Sequence, residues 1–283
     1  MEGKERIALV TDSTCDLDPA VINQHGIHVL PLKIVYRDRV YRDRVDITPE
    51  EVYARLEEEV PTTSTPSPQE AIDLLTELRN EGFTRVLAIH ISSGLSGTWN
   101  AVNLAAREVA NLKTAVIDSK SLSMGLGFVV EQAARWIEER TDFATLVKRC
   151  EEMVERSKAF YVLKTLEYLR RGGRINTVAA AVAGALDLKP IISIDDQGKY
   201  YSYRRVRGRS QSIRELLEIA RGAVATGLNR VAIMHGGALE EGRALLEKVK
   251  QLPGTEKVVF GQIGPAMVVH TGPGLLGAAL TRA

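Results

Sequence analysis

The sequence predicts an α/β protein of two domains. Residues 1–157 read as a three-layer α/β/α unit with a parallel sheet, and residues 158–283 as an α/β unit with a mixed sheet. Three observations carry that reading. The chain has 283 residues, enough for one large or two medium domains with ample core. In the first half, short apolar runs alternate with helix-like segments, the pattern of parallel strands covered by helices on both faces. In the second half, Lys189–Ile194 and Lys199–Arg207 flank the turn sequence Asp195-Asp196-Gln197-Gly198. Adjacent hairpin strands of this kind imply a mixed sheet.

The elements follow in order. Ile7–Val10 is a short strand ending at Thr11-Asp12-Ser13. Asp18-Pro19 caps a helix to about His25, with the proline in the first turn, where no N–H is needed. His28–Tyr36 reads as one longer strand. Thr48-Pro49-Glu50-Glu51 and Ser67-Pro68-Gln69-Glu70 each spell a capping box that opens a helix, the second reaching about Glu81. Arg85–Ile91 is a strand, Gly97–Ala110 a helix, Thr114–Asp118 a strand, and Ser123–Glu139 and Phe143–Arg156 are helices. The domain boundary is expected near Ser157. Beyond it, Arg230–His235, Lys257–Ile263 and Met267–Thr271 read as strands, separated by helices at about Ser210–Ala225 and Leu239–Gln251. The pentapeptide Tyr36-Arg37-Asp38-Arg39-Val40 recurs at once as Tyr41-Arg42-Asp43-Arg44-Val45. One direct copy is not a repeat architecture, so it reads as a solvated charged hairpin or loop.

Composition narrows the function. Apolar residues make up 45% and charged residues 26%, with 37 Lys and Arg against 36 Asp and Glu. That balance gives no support for whole-molecule attraction to nucleic acid or acidic membranes. Cys15 and Cys150 are two distant thiols and no disulfide framework. The N-terminus is charged and leads straight into a strand, and no apolar run is long enough for a membrane span. The expected location is the cytoplasm.

Two segments concentrate hydroxyls at probable helix N-termini, Pro61-Thr62-Thr63-Ser64-Thr65-Pro66-Ser67-Pro68 and Ser92-Ser93-Gly94-Leu95-Ser96-Gly97-Thr98. Hydroxyls and unpartnered amides at such a terminus hold anions. Neither segment contains Lys or Arg, which suggests one small anion such as a carboxylate. Of five histidines, His270 is the one placed like the hydroxyl segments, at a probable strand end, after the apolar run Ala266–Val269 and before Thr271-Gly272-Pro273-Gly274. Gly272-Pro273-Gly274-Leu275-Leu276-Gly277 matches a dinucleotide fingerprint only formally, because six residues follow it and leave no room for the rest of that unit. Gly94-Leu95-Ser96-Gly97 lacks the second glycine of a nucleophile elbow, Thr98 standing in its place. Walker A and zinc spacings are missing from the sequence. An alternative is a hydrolase or acyl transferase using Ser93 or Ser96 with His270, with Asp12 or Asp118 to orient the base. Two arginine clusters, Arg170-Arg171-Gly172-Gly173-Arg174 and Arg204-Arg205-Val206-Arg207-Gly208-Arg209, read as solvated turns or a protein-docking surface.

These motifs together resemble the DegV family of bacterial fatty-acid-binding proteins. The resemblance runs nearly end to end, from Val10-Thr11-Asp12-Ser13-Thr14-Cys15-Asp16-Leu17 through Asp46-Ile47-Thr48 and the two hydroxyl segments. It continues with Leu166-Glu167-Tyr168-Leu169 and Arg171-Gly172-Gly173-Arg174-Ile175, and closes with Gly264-Pro265 and His270-Thr271-Gly272-Pro273-Gly274. It implies two α/β domains with a lipid tunnel, and a long-chain fatty acid as ligand with no cofactor or metal. It implies a binding subunit that presents the carboxylate to a separate ATP-dependent fatty acid kinase and carries no phosphotransfer site of its own. The carboxylate would be held by Thr63, Ser93 and His270, with Ser64, Ser96 and Thr271 beside them. Arg174 and Arg207 match positions that engage the kinase. Thr65, where the family commonly has Gln, and Trp99, where Tyr is common, depart from the pattern.

Overall fold

The computed structural model describes residues 5–175, 178 and 188–282. Its first sheet is parallel throughout, in the order β2-β1-β6-β7, with β1 at Ile7–Asp12, β2 at His28–Leu30, β6 at Arg85–His90 and β7 at Lys113–Asp118. The chain leaves β1 for the neighbour on one side, then returns to build β6 and β7 on the other. That reversal opens a crevice beyond the carboxyl ends of β1 and β6, where open α/β sheets bind ligands. Helices α1 (Pro19–Gln24), α3 (Pro68–Asn80) and α4 (Thr98–Glu108) belong to this half, as does α2 (Pro49–Arg55). Both capping boxes form: the Thr48 and Ser67 hydroxyls accept the amides of Glu51 and Glu70, and their own amides donate to the Glu51 and Glu70 carboxylates.

The second sheet is mixed, in the order β10-β9-β8-β13-β11-β12. Its strands are β8 (Lys158–Val162), β9 (Ile191–Ile194), β10 (Tyr200–Arg204), β11 (Arg230–Gly236), β12 (Lys257–Gln262) and β13 (Leu275–Thr281). The β9–β10 pair is the predicted hairpin, and β11–β12 is the one parallel pair among these strands. Helices α8 (Arg209–Ala225) and α9 (Leu239–Lys250) fall where the periodicity puts them, and the short α7 (Glu167–Arg171) precedes them.

One helix serves both sheets. In α5 (Met124–Glu138), the stretch from Met124 to Ala134 is buried on every side save at Gln132. Phe128, Val129 and Val130 join Leu9 and Ile89 of the first sheet to Tyr161 and Ala279 of the second in one cluster. Burying each such side chain contributes about 1.5–3 kcal/mol. Glu131, on the same helix, accepts from Arg230 (2.8 Å), Lys257 (2.7 Å) and Arg135 (2.9 Å), tying α5 to β11 and β12. The expected boundary at residue 157 falls between α6 (Phe143–Arg156) and β8, and this core cluster runs across it. Both cysteines are free and buried, and burial pushes the Cys15 thiol up to about 12.

Three expectations are corrected. His28–Tyr36 is two strands in different sheets: β2 pairs with β1, whereas β3 (Lys33–Val35) pairs with β4 (Val40–Arg42) and β5 (Thr62–Ser64). Pro31 lies between them and offers no ladder N–H, so the chain leaves the parallel sheet there. The Met267–Thr271 run is helix α10 (Pro265–Thr271), and the last strand is β13. Gly264 caps α10 in extended backbone and Pro265 takes its first turn. Nearly all of α10 is buried, so its sequence carries no amphipathic period. The duplicated pentapeptides form the turn after β3, strand β4 and its exit, and the second copy is only partly solvated because Asp43 turns fully inward.

Candidate functional site

Strand alternation selects one hydroxyl from the first segment. In β5, Thr62 and Ser64 face solvent and Thr63 faces inward. Thr63 Oγ1 lies 2.7 Å from Nε2 of His270, near the end of α10. The two residues are 207 positions apart, so the contact is made entirely by the fold. Burial, reinforced by the Arg174 guanidinium, lowers His270 to about 4, so its imidazole is neutral at physiological pH. Its Nδ1 is buried without a partner. The ring is packed against the backbone of Gly172: a Cβ there would overlap Nδ1 and come within 2.8 Å of Cε1. The Arg-Gly-Gly-Arg motif therefore supplies a backbone face against which only hydrogen fits.

Thr63, Ser96, Thr271 and His270 line one cavity with Thr14, Leu95, Leu122, Tyr200 and Met267. Thr14 follows β1, and Leu95 and Ser96 follow β6, so the cavity occupies the crevice at the reversal of strand order. Its free volume among the described residues is about 50 Å³. That is room for a few water-sized groups, hence for a head group but not for a long acyl chain. Ser96 Oγ faces Thr98 Oγ1 at 2.9 Å and accepts the Thr98 amide at the start of α4. Thr271 spends its hydroxyl on the Met267 carbonyl (2.9 Å).

Other candidates lie elsewhere. Ser93 is exposed, and its hydroxyl donates to Asp118 at 2.5 Å. Ser64 is exposed and reaches only its neighbour's carbonyl at 3.4 Å. Ser92 donates to the carbonyl of Gly198 (2.7 Å), and Gly94 packs against the same turn, so part of the second hydroxyl segment docks the β9–β10 hairpin. Arg207 is exposed, in an isolated bridge with Leu188.

Arg174, expected at the partner surface, also stands beside the site. It lines the cavity wall, donating to the Gly172 carbonyl (2.5 Å). Arg174 also borders an outer groove of about 430 Å³, with Arg37, Arg171, Glu58 and Glu59. Thr63 and His270 stand between cavity and groove and touch both. The sequence reading missed Thr14 and Tyr200. Thr14 had a signal, its place just past the carboxyl end of β1, whereas Tyr200 arrives from the far hairpin. The geometry does not assemble a hydrolytic triad. His270 faces Thr63, Ser93 faces Asp118, and Asp12 is spent on His90, the Ile91 amide and Thr14.

The sequence matches the DegV family of uncharacterised proteins over residues 6–283. The chain belongs to the DegV family. A DegV domain-containing protein of Clostridium acetobutylicum is 42% identical over 277 residues, which cover 98% of this chain and 99% of the relative. Among solved structures, a DegV family protein from Thermus thermophilus, described by its fatty acid binding, superposes with a TM-score of 0.91 at 32% identity, over 98% of this chain and 100% of its own. A stearic acid-binding protein from Eubacterium ventriosum superposes with a TM-score of 0.88 at 28% identity, over 98% of each chain. Both structural neighbours share the parallel-plus-mixed sheet architecture, and both are described as binding fatty acids. No described helix of this DegV chain is long and apolar enough to cross a membrane.

Proposed function

We propose that this protein binds a long-chain fatty acid and presents its carboxylate, from the cytoplasm, to a separate ATP-dependent kinase that forms the acyl phosphate. The observation that carries the reading is the Thr63–His270 pair, set between an apolar-walled cavity and an arginine-bordered groove. The carboxylate lies at Thr63, His270 and Ser96, and the acyl chain runs inward past Leu95, Leu122 and Met267, which part to admit it. Ser93 joins the site only by giving up its bond to Asp118. Burying a chain of ~15 methylenes gains roughly 12 kcal/mol before association costs, so the tail supplies most of the affinity. The head group needs donors, because an unpaired buried carboxylate loses several kcal/mol of solvation. Arg174 at the mouth and the exposed Arg207 engage the kinase, which supplies the phosphate-handling groups.

The test is lipid extraction. Purified protein should carry fatty acid detectable by mass spectrometry, and a His270→Gln variant should retain less of it. Protein that carries none, and binds none when long-chain fatty acid is added, would end this reading. A kinase partner should act on the loaded protein and lose activity with Arg174→Ala and Arg207→Ala, while fatty acid retention persists with Arg207→Ala.

A further inference from the structure

The second copy of the duplicated pentapeptide has an inward-facing acid that the binding site does not use. Asp43 is 1% exposed, and its Oδ1 accepts the amide of Ala266 at 3.0 Å. Beside it, Asp16 Oδ1 accepts the amide of Gly264 at 2.9 Å and Arg44 Nη2 at 2.5 Å, and its Oδ2 accepts Ser123 Oγ at 2.5 Å. Arg44 also donates to the Gln262 carbonyl (3.1 Å). Two buried carboxylates from the N-terminal half thus grip two amides of the first turn of α10, the helix that carries His270, Met267 and Ala266 into the cavity. Asp16 (φ 53°) and Arg44 (φ 62°) both adopt left-handed backbone, which non-glycine residues seldom do. Two such outliers bonded to each other mark a place where the fold holds strain for a purpose. Gly264 belongs to the same device: a Cβ there would come within 2.7 Å of Arg44 Nε.

We propose that Asp43, with Asp16 and Arg44, is a positioning clamp that sets α10 so that His270 meets Thr63, and thereby fixes head-group affinity. The proposal rests on the fatty-acid reading of the site for its affinity arm only. None of its three residues lines the cavity, so its effect passes through α10 and the His270 it carries.

The experiment uses the full chain and the variants Asp43→Ala, Asp43→Asn and Arg44→Gly. Asn keeps an oxygen to accept the Ala266 amide, and Gly fits the left-handed backbone of Arg44 without strain. Two readouts are taken, the NMR titration of the His270 ring without ligand and the affinity for a fluorescent long-chain fatty acid. Asp43→Ala should move the His270 titration towards that of a free imidazole and weaken fatty acid binding about tenfold or more. Asp43→Asn should restore both most of the way, and Arg44→Gly should shift both in the same direction as Ala. Should Asp43→Ala fail to fold, Asn against Arg44→Gly decides. Wild-type His270 titration in Asp43→Ala or Arg44→Gly overturns the clamp, as does Asn behaving like Ala. If the wild type binds no fatty acid while His270 responds as stated, the clamp stands and the ligand reading falls.

Discussion

Replacing Gly172 with alanine adds one methyl group against the His270 ring. The new Cβ would overlap Nδ1 and stand 2.8 Å from Cε1, where ordinary contact begins at 3.4 Å. Its backbone φ is −76°, so alanine is conformationally acceptable and the whole effect is steric. Gly172 is fixed by the amide bond it gives the Tyr168 carbonyl (2.9 Å), so the ring is the softer partner. The ring starts 2.7 Å from Thr63 Oγ1, so a movement that clears Nδ1 disturbs the geometry of that hydrogen bond. Overpacking of this kind costs about 1–3 kcal/mol, and a buried donor or acceptor left unmade costs a similar amount. Fatty acid affinity should therefore fall about 10- to 100-fold with secondary structure unchanged. The assay is competition against a fluorescent long-chain fatty acid, with the His270 ring resonances followed in parallel. Wild-type affinity together with wild-type His270 resonances in the folded variant would refute the close approach as a determinant of the site.

Ser96→Ala should weaken fatty acid binding by about 1–2 kcal/mol, and Ser93→Ala should leave it near wild type; the reverse order in a direct binding assay would move the head group to the Ser93 hydroxyl. Glu131→Ala leaves Arg230 buried without its charge partner and should destabilise the fold by about 3–5 kcal/mol, read by urea unfolding. Two buried groups pull the pH dependence of stability in opposite directions. His270, lowered to about 4, resists a proton that the unfolded chain takes near 6.5, so its contribution to stability is lost as pH falls between those values. Asp43, raised to about 6 by burial, holds a proton that the unfolded chain releases near 3.8, so its contribution is lost as pH rises through the same window. Each is worth roughly 3 kcal/mol, and they offset. Relative to wild type, His270→Gln should gain stability as pH falls from 6 to 4 and Asp43→Asn should lose it; parallel curves in thermal unfolding would remove both assignments.

The parts of the fold visible in the sequence are those with a local cause. The two capping boxes, the Asp-Pro start of α1 and the β9–β10 turn each act within four residues, and each forms where the residues place it. The parts hidden were decided by distant partners. Val268 and Val269 are β-formers by type, yet they lie in a helix whose first amides Asp16 and Asp43 satisfy from far up the chain. The site shows the same division. Both hydroxyl segments and His270 stand out in the sequence, but which hydroxyl turns inward is set by register. Pairing of β5 with β3 decides for Thr63 over Ser64, and the docking of Gly198 and Asp118 removes Ser92 and Ser93 from the cavity. Arg174 escaped the reading of the candidate site because its segment meets the others through the fold, at the Leu95 carbonyl and beside the His270 ring.

The placement of that arginine bears on how a bound acid could remain reactive. A cation buried in contact with the carboxylate would hold it in a tight ion pair and lower its nucleophilicity. A site of neutral donors alone would pay the full desolvation of the charge. The structure takes an intermediate course: the imidazole is kept neutral by burial, while the guanidinium sits exposed at the rim, anchored to the Gly172 carbonyl. At the rim its attraction is screened by water, so it would offset only part of a bound carboxylate's desolvation and leave the oxygen lone pairs to the neutral donors. Bringing a carboxylate beside His270 favours the imidazolium, so binding should take up a proton between pH 4 and 6.5. Calorimetry in buffers of different ionisation enthalpy reads that uptake directly. Binding with no proton uptake at pH 5 would place the carboxylate away from His270, at the rim with Arg174.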